Sequence, residues 1–323
     1  MIRLSELPTP VVTTYAILLG LFGGSFLNVV IYRVPRQMSI ARPPSHCPGC
    51  GAPVRFYDNI PVLSYLLLGG KARCCKTRIS PRYVLVELIG GVLAWAIVQG
   101  LVLRLPLGTS LSRAAMIFAA DLMFALSLVA VAFIDLEHMY VPDAISIGGT
   151  LFGLATFSLR PDLGINDALL GAAIGFGIVW LPFGVLYRLI RGRTGMGLGD
   201  AKLLMMAGAW FGWMGAAFAL LAGAVQGTIA ALAMILLRGK IEEPASVQAE
   251  KRETEKALAL LAPEQRAAAE AELAKDPLYE AASSGLGLAR IAFGPFLALA
   301  MLEYLLVGRE WLEGYVRWFG PLG

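Results

Sequence analysis

Apolar positions along this chain fall into long runs with few or no charges. They are Leu7 to Tyr32, Tyr83 to Leu103 (interrupted by Glu87), Ala114 to Ile134 (by Asp121), Ala144 to Leu159, Ala168 to Tyr187, and Ile291 to Val307 (by Glu303). A helix that crosses a bilayer takes about 20 predominantly apolar residues, so each run suits one helix. Leu203 to Leu237 is longer, 35 residues without a charge. As one helix it would span about 52 Å, against a hydrocarbon core of about 30 Å. The pattern therefore predicts two helices there, turning near Gly212 to Gly215. The fold class that follows is all-α, a polytopic membrane helix bundle of about eight spans with both termini on one side.

Two segments break the apolar pattern. Residues 33–82 are rich in Pro, Gly, Cys and basic side chains and read as a small folded, aqueous, Cys-containing module after the first span. Residues 239–282 are Ala/Glu/Lys-rich with 16 charges and read as solvated helix pieces, for instance Glu264 to Lys275 with Pro263 at its start. No internal repeat is evident. The expected division is a first transmembrane helix (1–32), the module (33–82), a transmembrane core (83–237), a charged cytoplasmic insertion (238–290), and a last span with the C-terminus (291–323).

Composition narrows the class. Of 323 residues 57% are apolar and 15% charged, with mean hydropathy +0.69. That excludes a disordered chain and disfavours a soluble domain, where about 25% is charged. A net charge of +4 scattered among apolar runs does not suit nucleic acid. The polar loops on one side of the predicted spans hold 21 basic residues and the other side six, which places the richer side in the cytoplasm. The first helix has no small-residue cleavage site after a short apolar core and reads as a retained span rather than a signal peptide.

Ionisable groups at membrane depth are costly and mark function by default. Asp135 (Phe133-Ile134-Asp135-Leu136-Glu137) ends one predicted helix, where its charge opposes the helix dipole, so it needs another reason to be there. Asp143 follows Pro142 and suits a helix N-cap better than catalysis. Asp200, in Gly197-Leu198-Gly199-Asp200-Ala201-Lys202-Leu203, opens a helix after glycines at 192, 195, 197 and 199. It fits a cap or the field of a helix N-terminus as well as it fits chemistry. Two aspartates brought together by packing would share a proton, as in an aspartic protease. Asp121 and Glu87 read as structural polar contacts in the bundle interior.

The stretches Gly24-Ser25-Phe26-Leu27-Asn28-Val29-Val30-Ile31-Tyr32-Arg33, Asp58-Asn59-Ile60-Pro61-Val62-Leu63-Ser64, Ser80-Pro81-Arg82-Tyr83-Val84-Leu85-Val86-Glu87, Ile134-Asp135 to Pro142-Asp143, Gly197 to Leu203, and Phe293-Gly294-Pro295-Phe296-Leu297 occur in this order. In this the chain resembles the type IV prepilin leader peptidases, membrane aspartic peptidases of the Gly-X-Gly-Asp kind. The resemblance implies that Asp135 and Asp200 are the catalytic pair. It implies a prepilin or pseudopilin substrate, cut after the Gly that ends its basic leader, at the cytoplasmic face of the bacterial inner membrane. It also implies N-methylation of the new N-terminus from S-adenosylmethionine, in a region around Asp58, Gly70 and Lys71; no glycine-rich nucleotide signature marks that pocket. Two alternatives stay open: a peptidase without methyl transfer, and a non-enzymatic transporter or scaffold of a pilus or secretion assembly.

Cys47-Pro48-Gly49-Cys50 is a C-x-x-C knuckle, and a second such pair 20 to 25 residues on would complete a tetrahedral zinc site. The resembled family supplies that pair. Here the stretch reads Gly69-Gly70-Lys71-Ala72-Arg73-Cys74-Cys75-Lys76, with Ala72 at the first ligand position. Adjacent residues rarely point the same way, so Cys47, Cys50 and Cys75 are the natural ligands. Cys74 would join through a local backbone change, or His46 would substitute, although His46 reads better as a surface residue. The expectation is a structural zinc held by Cys47, Cys50, Cys74 and Cys75; a disulfide suits the cytoplasm less well.

Overall fold

A computed structural model describes residues 2–47, 49–160, 162–191, 197–238, 245–273 and 291–308. Gly192, Gly195 and the parts of the insertion at 239–244 and 274–282 lie outside the described residues. The elements are α1 (Thr9–Arg33), α2 (Leu63–Leu67), α3 (Arg82–Gly100), α4 (Leu111–His138), α5 (Asp143–Ala155), α6 (Ile165–Val179), α7 (Tyr187–Arg191), α8 (Leu198–Arg238), α9 (Ala245–Ala259), α10 (Pro263–Leu273) and α11 (Gly294–Glu303). Proline sets several starts: Pro8, Pro81 and Pro142 immediately precede α1, α3 and α5, and Pro263 opens α10. There its fixed φ suits the first turn and its missing N–H has no partner to lose. Among the described residues, extended pairing is limited to three isolated bridges, so the all-α expectation holds.

Among the described residues, five helical stretches are long and apolar enough to cross a membrane: Thr9–Arg33, Arg82–Arg104, Leu111–His138, Ile165–Ile190 and Leu198–Leu237. Two shorter apolar helices, Asp143–Ala155 and Gly294–Gly308, account for the remaining apolar runs. The run in α8 is broken at Gly212, whose φ of 74° and ψ of −176° are open only to glycine, at the turn the length argument predicted. A count of eight spans depends on that break and on the two shorter helices.

The chain divides into two compact units. The first comprises residues 1–130, 159–161 and 302–323. In it α1 and α3 run antiparallel with backbones in contact: a Cβ on Gly24 would lie 2.7 Å from the Glu87 Cα, and Asn28 Nδ2 donates to the Tyr83 carbonyl at 3.0 Å. The buried Arg33 closes the end of α1 by donating to the carbonyls of Ser39 (2.9 Å) and Pro43 (2.7 Å), which folds the module's first loop over the helix end. Glu87 has the structural role expected, accepting from the Val62 N–H at 2.7 Å. Asp121 is buried with the Arg160 guanidinium as its charged neighbour.

The second unit comprises residues 131–158 and 162–301. Its α6 packs on both halves of α8, with Gly171 against Gly208 and Gly212, and Gly175 against Leu204 and Ala216. Side chains at these glycines would separate helices that now touch through their backbones. The α5 helix runs parallel to the first half of α8, and Trp210 Nε1 donates to the Gly149 carbonyl at 2.9 Å. The start of α11 lies against the second half of α8 near Gly223 and Gly227. The insertion contains two predominantly polar helices, α9 and α10, the second starting at Pro263 as expected.

Candidate active site and cysteine cluster

Four elements of the second unit meet at one end of its helices. The α4 helix continues one turn past Asp135 to His138, so Asp135 does not terminate it. The chain then reverses through Met139, a non-glycine residue in the left-handed region (φ 52°) whose N–H donates to the Asp135 carbonyl at 2.8 Å. That turn brings Val141 against Gly199, where an added Cβ would lie 3.0 Å from the Val141 Cβ. Gly199 is thus small because the neighbouring loop occupies its side-chain space. Asp200 stands in the first turn of α8, part-buried, with Asp135 as the charged neighbour that acts on it. The two aspartates singled out in the sequence, 65 positions apart, are within electrostatic reach of one another.

Asp135 is buried, and its Oδ2 accepts a hydrogen bond of 2.9 Å from the backbone N–H of Gly294, at the start of α11. A Cβ at Gly294 would lie 2.7 Å from that oxygen, so only glycine lets the helix end reach the carboxylate. Both the donor and the N-terminal end of α11 suit a negative group there. This contact was not anticipated, because a backbone donor carries no side-chain signature; the glycine beside Pro295 at a helix start was the available sign.

Asp143 corrects the reading as an N-cap. Pro142 is the capping residue, and no side-chain cap bond is made there. Instead the Asp143 carboxylate accepts from Lys202 Nζ at 2.7 Å. Asp143 is mostly exposed, so the pair contributes on the order of 1 kcal/mol or less. Its effect is to tie the start of α5 to the turn of α8 that bears Asp200.

In the first unit, the four thiols of Cys47, Cys50, Cys74 and Cys75 lie within 4.8 Å of one another. Separations are 3.5 Å for Cys47–Cys75, 3.3 Å for Cys50–Cys74 and 3.9 Å for Cys74–Cys75. Zn–S bonds of about 2.3 Å in a tetrahedron put sulfurs about 3.8 Å apart, so the donor set fits such an ion. His46 is exposed, outside the cluster, with a ring nitrogen 3.4 Å from the Pro44 carbonyl.

The backbone explains how Cys74 enters. Cys47 N donates to the Ala52 carbonyl, Gly51 N to Cys47 and Val54 N to Ser45; Ala72 N donates to Thr77, Lys76 N to Ala72 and Ile79 N to Gly70. The bridges His46–Pro53 and Lys71–Arg78 follow the same spacing, and Gly51 (φ 70°) and Lys76 (φ 59°) share the left-handed conformation. A knuckle therefore recurs at an offset of 25 residues, a repeat whose one shared ligand position in the side chains is Cys50 with Cys75. Ala72 takes the place of Cys47 and is buried like it, Cys75 that of Cys50, and Cys74, inside the turn, supplies the missing sulfur. The Cys75 thiol is lowered to about 6 by hydrogen bonds with the Thr77 hydroxyl and backbone, whereas Cys74 is raised to about 12 by hydrogen bonds with Cys50 and Cys47.

Asp58, Gly70 and Lys71, which the resemblance pointed to for methyl transfer, lie on or beside the second knuckle. Asp58 is held by Arg73, through Nε at 2.9 and 3.0 Å and Nη2 at 2.8 Å. Gly70 has a φ of 69° and faces the Tyr65 ring, where a Cβ would come within 3.0 Å, and Lys71 is exposed.

Fold and sites together define a helical membrane protein with two neighbouring carboxylates at one end of a bundle and a four-thiol cluster in a loop module. Residues 18–100 match the family model described as Bacterial Peptidase A24 N-terminal domain, and residues 122–232 match the Type IV leader peptidase family. The chain is 36% identical over 261 residues to the prepilin leader peptidase/N-methyltransferase of Neisseria gonorrhoeae, covering 72% of this chain and 85% of that one. The protein so named in Pseudomonas aeruginosa is 35% identical over 249 residues (69% and 80% covered), and that in Myxococcus xanthus 38% over 232 (72% and 65%). The chain belongs to the type IV leader peptidase family. No solved structure matches it.

Proposed function

We propose that this chain cleaves the leader of a type IV prepilin or pseudopilin with Asp135 and Asp200 and methylates the new N-terminus. The observation that carries the reading is the approach of these two carboxylates at one end of a membrane bundle. Asp135 takes the part of base: Gly294 occupies its Oδ2 with a donated hydrogen bond, leaving Oδ1 to accept a proton from water. Asp200, protonated, donates to the scissile carbonyl. Water adds to that carbon, and the gem-diol collapses as the leaving amine receives a proton. The basic side of the chain, and with it this site, faces the cytoplasm of the bacterial inner membrane, where a basic leader would lie.

S-adenosylmethionine, when bound, supplies the methyl group. Asp58, Gly70 and Lys71 are the residues assigned to hold it: Lys71 is exposed and would meet its carboxylate, and Asp58, only 11% exposed and paired with Arg73, fixes that half-exposed guanidinium beside it. Incubating purified protein with prepilin and S-adenosylmethionine should give a pilin that lacks its leader and is heavier by about 14 Da, the mass of one methyl replacing hydrogen. A trimmed but unmethylated product would reduce the reading to a peptidase. An unchanged prepilin would favour a transporter or scaffold.

Zinc is assigned to the thiol cluster as a structural ion. Cys74→Ala should weaken zinc binding roughly a hundredfold, about a quarter of the ~10–16 kcal/mol typical of a four-ligand structural site. Because Ala72 stands where Cys47 stands in the first knuckle, Ala72→Cys/Cys74→Ala should restore one equivalent of metal, read by elemental analysis. Less than about half an equivalent in the unmodified protein would rule the assignment out.

A further inference from the structure

The module between α1 and α3 carries its most exposed large side chains on one short stretch. Phe56 is 86%, Leu66 67% and Leu67 76% exposed, and Ile60 and Leu63 are exposed beside them. Each such side chain left in water forgoes about 1.5–3 kcal/mol of burial. An aqueous module, as the composition of residues 33–82 suggested, gives them no partner.

Their attachment supplies one. Val62, immediately before α2, is pinned by its N–H to Glu87 Oε2 at 2.7 Å. Glu87 is the sixth residue of α3, about 7 Å along a helix that is long and apolar enough to cross the membrane. Glutamate side chains on a helix lean toward its N-terminus, which places Val62 between the levels of Tyr83 and Glu87. Tyr83 and Tyr32 are exposed at the ends of α3 and α1 nearest the module, as aromatic residues are at a membrane interface. Val62 also holds φ 62°, a conformation that a β-branched residue avoids, so the turn that aims α2 is imposed by its surroundings. Leu85 and Leu88, flanking Glu87, are exposed on α3, and the α2 leucines extend that apolar surface outward. Residues 33–82 hold nine basic residues against one acidic; Arg33 among them is buried and Arg73 is paired with Asp58, and Arg55 stands directly before Phe56.

We propose that Phe56, Leu63, Leu66 and Leu67 insert into the leaflet on the module's side of the membrane, and that the module docks on anionic phospholipid. An apolar wedge rimmed by cationic side chains is the chemistry that binds such a surface. Docking fixes the height of Asp58, Gly70 and Lys71 above the bilayer, and it does not depend on the peptidase reading.

The test uses the full chain in liposomes of phosphatidylethanolamine and phosphatidylglycerol, with the photo-crosslinker p-benzoylphenylalanine at position 66 or 67 and, as a control, at the exposed position 42. Mass spectrometry after irradiation should show phospholipid adducts at 66 and 67 several-fold above those at 42, unchanged when prepilin is added. Adduct yields equal to those at 42, or transfer of the crosslink from lipid to prepilin, would overturn the proposal; the second outcome would make the patch a substrate surface.

Discussion

Asp135→Asn and Asp200→Asn are each expected to lower prepilin cleavage by about 10⁴-fold, because each removes one partner of a proton-transfer pair, at the upper end of the range for such groups. Asparagine keeps the size and the acceptor oxygen but takes no proton from water. At position 135 it can still accept from Gly294, and at 200 it still stands in the first turn of α8. Insertion and thermal stability should therefore change little, which separates lost chemistry from lost fold. Initial rates of leader release in proteoliposomes, with melting temperatures alongside, make the comparison. The two losses should not add in the double variant, since the carboxylates act as a unit.

The second large effect concerns a residue with no side chain. In Gly294→Val a Cβ would stand 2.7 Å from Asp135 Oδ2 and 3.1 Å from its Cγ, so the carboxylate must swing away or α11 must retreat. A displacement of about 1 Å from a catalytic geometry can cost roughly a hundredfold in rate. The loss should fall on kcat with KM nearly unchanged, since Gly294 fixes the base rather than the substrate. Gly294→Ala, with less bulk, should lose less. A Gly294→Val protein with unaltered kcat would remove Gly294 from the machinery.

The parts of the architecture that depend on transfer to lipid were legible in the chain. Runs of about 20 apolar residues have one outcome in a bilayer, and the helices fall where those runs lie, including the break at Gly212. Asp135 and Asp200 stood out because a carboxylate at membrane depth needs a reason. What escaped were contacts made by backbone or between distant positions. The Gly294 N–H reaches Asp135 across 159 residues, and Lys202 meets Asp143 across 59. The repeated knuckle was only half legible for a related reason: Cys75 matches Cys50 at the 25-residue offset, but Ala72 stands where Cys47 does, and only the hydrogen bonds show that the turn persists with its other ligand moved to position 74. Met139 and Val62 occupy left-handed conformations that glycine normally signals, leaving no local sign of either turn.

In the proposed mechanism two carboxylates of one bundle, and not the charged groups around them, break the leader bond. It is tested most directly by measuring single-turnover release of the leader from a prepilin in liposomes by the unmodified protein, Asp135→Asn, Asp200→Asn and Asp143→Asn. The expected pattern is rapid release by the unmodified protein, near-normal release by Asp143→Asn, whose carboxylate is mostly exposed, and none by the other two. Full release by either Asp135→Asn or Asp200→Asn would contradict it.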